Sequence, residues 1–168
     1  MILGMSTSTF TLFHVLLSLA GIATGFVVVF GLLNRRTLNG WTAIFLTTTI
    51  LTSVTGFFFP FHQVTPGIIL GVLSLIVLAF TLAALYAFHL SGAWRNTYVI
   101  SAIVALYFNC FVAVVQSFEK VPALHALAPT QKEAPFLAAQ LILLAFFAFL
   151  GTLTVKKFRQ PAALVARA

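Results

Sequence analysis

The stretch Phe10–Leu33, FTLFHVLLSLAGIATGFVVVFGLL, contains no charged residue and is long enough to indicate the fold class. A helix needs about 20 apolar residues to cross the ~30 Å hydrocarbon core of a bilayer. A signal peptide has a shorter apolar segment, of about 7–15 residues, after a positively charged start. Since Met1–Thr9 contains no Lys or Arg, we expect this stretch to be retained as a transmembrane helix.

Four further apolar runs of similar length follow along the chain. Only helices and closed barrels satisfy their own backbone hydrogen bonds in lipid, and barrel strands have only about 10 residues. The sequence therefore predicts an all-α integral membrane bundle, a single domain over residues 1–168. The five predicted transmembrane helices are Phe10–Leu33, Trp41–Phe59, Pro66–Leu90, Thr97–Phe118 and Phe136–Val155.

The composition agrees with a membrane protein. Of the 168 residues, 61% are hydrophobic and 7% are charged, whereas soluble domains have about 25% charged residues. The net charge of +7 is compatible with nucleic-acid binding, but the basic residues lie at the ends of the apolar runs instead of forming a stripe. We therefore expect the lipid bilayer, and not nucleic acid, as the partner of this surface.

The basic residues also predict the orientation, because cytoplasmic loops carry more Lys and Arg than outer loops. Lys120 and Lys132 each stand beside a glutamate in the long loop Glu119–Pro135, which we expect to lie outside. In that loop, Pro122 at a first helical position indicates a short helix. The N-terminus is predicted outside and the C-terminus in the cytoplasm of a bacterial inner membrane. The other seven basic residues then lie inside: Arg35, Arg36, Arg95, Lys156, Lys157, Arg159 and Arg167.

Glycines at helical spacing predict close contacts between helices. Gly21 and Gly25 form a GxxxG pattern in the first run, and Gly67 and Gly71 form another in the third. Glycine pairs at this spacing let two helix backbones approach closely in lipid. We therefore expect these four residues at helix-packing interfaces.

Amide and imidazole side chains form the candidate ligand-binding set. Asn109 and Gln116, in NCFVAVVQSFEK, are two helical turns apart and so share one face of a helix. The predicted orientation directs this face, and most of the histidines, towards the outer side. Hydrogen bonding between helices is the interpretation we favour, and a small-ligand site is the alternative. The candidate residues are His14, His62, Asn109, Gln116, Gln140 and His125.

Several ligands would suit such a site. A quinone head group would take a His or an amide on each carbonyl, with apolar walls around its tail. A haem needs axial ligands on opposite sides of the iron, so His62 or His125 would have to join His14. Zinc or copper could use His14, His62 and His125 together with Glu119. The sequence leaves these cofactors open.

The function predicted first is that of an accessory or interaction subunit, associating with other membrane subunits or with itself, or of a small-ligand binder. The chain contains no Asp, so it has no Ser/His/Asp set, and we do not expect an enzyme. The first alternative is a redox-linked subunit that holds a quinone or haem near the outer face. The second is a small transporter or channel subunit, although proton and cation pathways usually contain ionisable residues within the spans.

Overall fold

The computed structural model describes residues 2–60 and 66–158, and these are helical apart from short connections. They contain no named β-strand, which confirms the all-α prediction. The helix predicted over Trp41–Phe59 begins and ends earlier than predicted. The helix predicted over Thr97–Phe118 extends through Glu119 and Lys120, two residues that were predicted to lie in the loop. The helices are α1 (Thr7–Leu33), α2 (Asn39–Gly56), α3 (Pro66–Leu82), α4 (Trp94–Lys120), α5 (Pro122–Leu127) and α6 (Ala134–Phe158).

Four of these helices are long and apolar enough to cross a membrane, as a transmembrane protein requires. They are α1, α3 with its continuation to Ala87, α4 and α6. The structure does not confirm the count of five, because α2 is not among these four helices. Its 18 residues include a run of three threonines, Thr47–Thr49, and four more Thr or Ser residues.

The third helix ends before the predicted Leu90. A π-helical turn, Ala83–Ala87, follows α3, and Phe88 N–H donates to the Ala83 carbonyl at 2.9 Å. His89 and Leu90 then adopt left-handed φ values of 48° and 55°, so the helix cannot continue. A count of apolar residues cannot predict this change to a left-handed backbone conformation.

Helix α4 forms the centre of the bundle. It packs against α3 on one side and against α1 and α6 on others, while α2 lies between α1 and α3. Small α4 residues, Ala102 and Ala105, are buried together with Leu106 and Tyr98. By contrast, α6 is the least buried of the four long helices. Of these four helices, α4 therefore has the largest buried share.

The turn between α1 and α2 is fixed by backbone hydrogen bonds. Arg35 N–H donates to the Leu32 carbonyl at 3.0 Å, and Arg36 N–H donates to the Gly31 carbonyl at 2.9 Å. This pair of bonds is the Schellman motif, whose left-handed residue is usually glycine. Here that residue is Arg35, with a φ of 62°.

Arg35→Gly should raise the free energy of unfolding by about 0.5–1 kcal/mol, because glycine adopts the left-handed conformation without a Cβ penalty. The measurement is unfolding in mixed detergent micelles followed by circular dichroism. Arg36→Gly is the matched control, since Arg36 is not among the described residues with positive φ and glycine should destabilise there. Equal effects of the two substitutions would contradict this explanation.

The other end of the bundle is covered by the chain between α4 and α6. Pro122 begins the short helix α5, as predicted. Ala128 is fully buried there and packs with Phe118 and Phe136, whose rings meet edge to face at 5.4 Å. The loop therefore contributes a small apolar cluster to this end.

Candidate functional site: polar contacts between helices

His14 is half-buried on α1 and contacts α2. Its Nδ1 lies 2.8 Å from the Thr55 hydroxyl oxygen. Because the Thr55 hydroxyl donates to the Leu51 carbonyl at 2.7 Å, its oxygen accepts from His14 Nδ1–H. The imidazole ring also packs edge to face on Phe59, at a centroid distance of 5.2 Å. Neutral His14 is thus left with Nε2 as a hydrogen-bond acceptor.

Asn109 is buried where α1, α2 and α4 meet. Its Nδ2 donates to the Thr49 hydroxyl at 3.1 Å, which joins α4 to α2. A Cβ added to Gly21 would lie 3.2 Å from both of these polar atoms. Gly21 therefore makes room for the Asn109–Thr49 hydrogen bond as well as for close helix packing.

The other predicted packing glycines differ from one another. A Cβ on Gly25 would lie 2.6 Å from Leu106 Cδ1, so an alanine here would force the buried Leu106 side chain to shift at the contact of α1 with α4. A Cβ on Gly71 would lie 3.0 Å from the Phe57 ring. Gly67 is exposed near the start of α3. The second GxxxG pattern thus has one residue against a neighbouring side chain and one at the surface.

The remaining candidate residues do not meet Asn109 and His14 in one place. Gln140 Nε2 donates to the Phe111 carbonyl at 3.4 Å, at the contact of α6 with α4. Gln116 and His125 are exposed, on α4 and α5 respectively. His62 lies outside the described residues. Of the six candidates, His14, Asn109 and Gln140 are therefore engaged, each at a separate helix contact.

Hydroxyl pairs, which were not among the candidate site residues, make further contacts between helices. The Ser53 hydroxyl donates to Ser74 at 3.1 Å and so joins α2 to α3. The Thr81 hydroxyl donates to Ser101 at 2.8 Å and joins α3 to α4. The sequence signal for these contacts is the regular spacing of Ser and Thr within the apolar runs.

Two buried polar atoms in the described chain have no hydrogen-bond partner: Thr52 Oγ1 on α2 and Gln140 Oε1 on α6. Thr52 lies one turn from Thr48 and Thr49. Gln140 is next to the α4 carbonyl to which it donates. These atoms are on different helices and no described contact links them, so they do not define a shared site.

Substituting Asn109 by Ala and Thr49 by Val should give a coupling free energy of about 0.6–1.7 kcal/mol, the range for hydrogen bonds between transmembrane helices. The measurement is a double-mutant cycle on the free energy of unfolding in micelles. Gln116→Ala is the control on the same helix, and it should change the free energy little because Gln116 is exposed. A coupling of zero would mean that the amide and the hydroxyl do not interact.

Metal-binding groups are dispersed in the described part of the chain. Within residues 2–60 and 66–158, no three His, Cys, Asp or Glu side chains lie close enough together to hold a metal ion. Cys110 is buried and unpaired with another cysteine. The histidine and glutamate set considered for zinc or copper is therefore not assembled by the residues that are described.

Comparison of the chain with protein-family models, with curated proteins and with solved structures finds no match.

Proposed function

We propose that this protein is a five-helix transmembrane subunit that acts as an accessory or interaction protein. The observation that carries the proposal is the use of its interior polar groups: Asn109 with Thr49, Ser53 with Ser74 and Thr81 with Ser101 each connect two helices. Side chains bonded in this way stabilise the bundle. We therefore expect partners to bind the outward faces of the helices.

The proposal includes α2 as the fifth transmembrane helix. At 1.5 Å per residue its 18 residues span about 27 Å, close to the thickness of the hydrocarbon core. It runs back along α1, because Phe45 faces Gly25 whereas Thr55, further along α2, faces His14. Hydroxyls of α2 also donate to carbonyls one turn earlier, as Thr48 does to Ile44 at 2.7 Å, which reduces their cost in lipid.

The proposed orientation has the basic end of the bundle in the cytoplasm. Ser6 precedes α1 at one end, and Thr37 lies between α1 and α2 at the other; both are exposed. In a chain with Cys110 replaced by Ala, we expect a membrane-impermeant maleimide to label Ser6→Cys in intact cells and Thr37→Cys only after lysis. The reverse pattern would overturn the orientation.

Native mass spectrometry of protein purified gently from its own membranes tests the subunit proposal. An added mass that matches another polypeptide would support it. A bare monomer would contradict it, and an added quinone or haem would favour the alternative function. We expect a partner polypeptide to bind the exposed side of α6. Ala148→Leu, on that side, should release the polypeptide. Ala79→Leu, on the exposed side of α3, is the control and should not release it.

The second candidate function is a redox-linked subunit with a quinone or haem near the outer face. One observation favours it: His14 donates Nδ1–H to Thr55 and so orients Nε2, the arrangement usual for a histidine that binds a metal. Visible absorption and lipid extraction of the purified protein test this candidate. Haem would give a Soret band that His14→Ala removes, and a colourless protein without extractable quinone would contradict both cofactors.

A further inference from the structure

An open cleft of about 400 Å³ lies at the turn between α1 and α2. Arg36 and Asn34 supply its polar groups, and Phe30 and Leu38 supply its apolar walls. It is therefore amphipathic, with a cation beside a hydrocarbon surface.

The end of the bundle around this cleft is strongly basic. The chain has two acidic residues, and both lie at the opposite end: Glu119 in the last turn of α4 and Glu133 just before α6. An anionic ligand of the cleft would therefore meet no side-chain carboxylate at this end. The basic side chains at this end of the described structure are Arg35, Arg36, Arg95, Lys156 and Lys157.

The turn that forms the cleft is held by hydrogen bonds. Asn34 Nδ2 donates to the Phe30 carbonyl at 2.8 Å, and Arg36 N–H donates to the Gly31 carbonyl at 2.9 Å. Leu38 closes over Gly31, where an added Cβ would lie 2.8 Å from the leucine side chain. The backbone therefore fixes the origin of the Arg36 side chain at the rim of the cleft.

The apolar side of the cleft continues along the outside of α1. The Phe30 side chain is 68% exposed, and Phe26, one turn deeper in the helix, is also exposed. Trp41, at the start of α2, is exposed at the same end, where indole rings occupy the interface between membrane and water. A ligand of the cleft would thus have its anionic part at the level of the lipid head groups and its hydrocarbon part beside α1.

We propose that this cleft binds an anionic phospholipid, with its phosphate at the Arg36 guanidinium and one acyl chain along Phe30. Basic pockets at the membrane surface recognise the head groups of such lipids. An acidic polypeptide would satisfy the charge, but it would not cover the exposed phenyl rings that extend into the membrane. The lipid accounts for both features.

The test counts bound lipids by native mass spectrometry and measures thermal unfolding in detergent, with phosphatidylglycerol or phosphatidylcholine added. Arg36→Gln should bind phosphatidylglycerol about fivefold more weakly, the effect of removing one juxtamembrane cation. Its affinity for phosphatidylcholine should not change. The substitution preserves the backbone bond to Gly31, so the turn should still form. Lys157→Gln, at the same end but outside the cleft, is the matched control and should retain the tightest bound lipid.

Further variants separate the lipid from other anions. Phe30→Ala should weaken binding of long-chain phosphatidylglycerol but not of a short-chain analogue. Equal phosphatidylglycerol binding by Arg36→Gln and the unchanged protein would overturn the proposal. Stabilisation by inorganic phosphate equal to that by the lipid would identify a simple anion site instead. A polypeptide lost from Arg36→Gln, with an unchanged lipid count, would assign the cleft to a protein partner.

Discussion

Gly25→Ala should lower the free energy of unfolding by about 1–3 kcal/mol, the usual effect of overpacking a well-packed core. The new Cβ would lie 2.6 Å from Leu106 Cδ1 and 2.9 Å from Phe45 Cε2. Both of these side chains are at most 1% exposed, so neither has open space into which it can move. Unfolding in mixed micelles, followed by circular dichroism, measures the change.

Gly151→Ala is the matched control for Gly25→Ala. Its Cβ would lie 3.7 Å from Ile103 Cγ2, an ordinary van der Waals distance, so the higher helix propensity of Ala should make it neutral or stabilising by up to about 1 kcal/mol. Adding Leu106→Ala should reduce the Gly25→Ala penalty, because it removes the nearest atom. Equal stabilities of the two glycine variants would mean that α1 does not approach α2 and α4 so closely.

The helices were predictable from the sequence because lipid imposes one length and one backbone conformation on a crossing segment. The predicted Phe10–Leu33 lies within α1, which the structure extends to Thr7, where Ser6 accepts a hydrogen bond from Thr9 N–H. The end of the third helix was not predictable in this way. The left-handed backbone at His89 and Leu90 depends on local conformation, and neither residue is a typical helix terminator.

The contacts of the candidate site were less predictable than the helices. The GxxxG pattern indicated where α1 permits a close neighbour, but only the fold brings Leu106 and Phe45 to Gly25. Likewise, the apolar surroundings of Asn109 indicated a need for a polar partner, and Thr49 becomes that partner because α2 and α4 face each other. A face of one helix can be derived from the sequence, whereas its neighbour depends on the arrangement of the whole bundle.

Phe45→Ala should lower the free energy of unfolding by about 3–5 kcal/mol, the usual effect of truncating a buried phenylalanine. The ring is 1% exposed and closes over Gly25, where no side chain of α1 can fill the space that it would leave. Because lipid offers no hydrophobic driving force between helices, the loss of van der Waals contact should account for most of the effect. The measurement is again unfolding in mixed micelles.

Phe149→Ala removes the same atoms from a side chain that is 68% exposed on α6, so it should cost far less than Phe45→Ala. The comparison isolates the effect of packing, because both variants lose a phenyl ring from an apolar helix and only the Phe45 ring is buried. A small effect at Phe45, similar to that at Phe149, would show that the contact of α1 with α2 is loose. In that case the part of the Gly25→Ala penalty that arises from the Phe45 ring should also disappear, whereas the part that arises from Leu106 should remain.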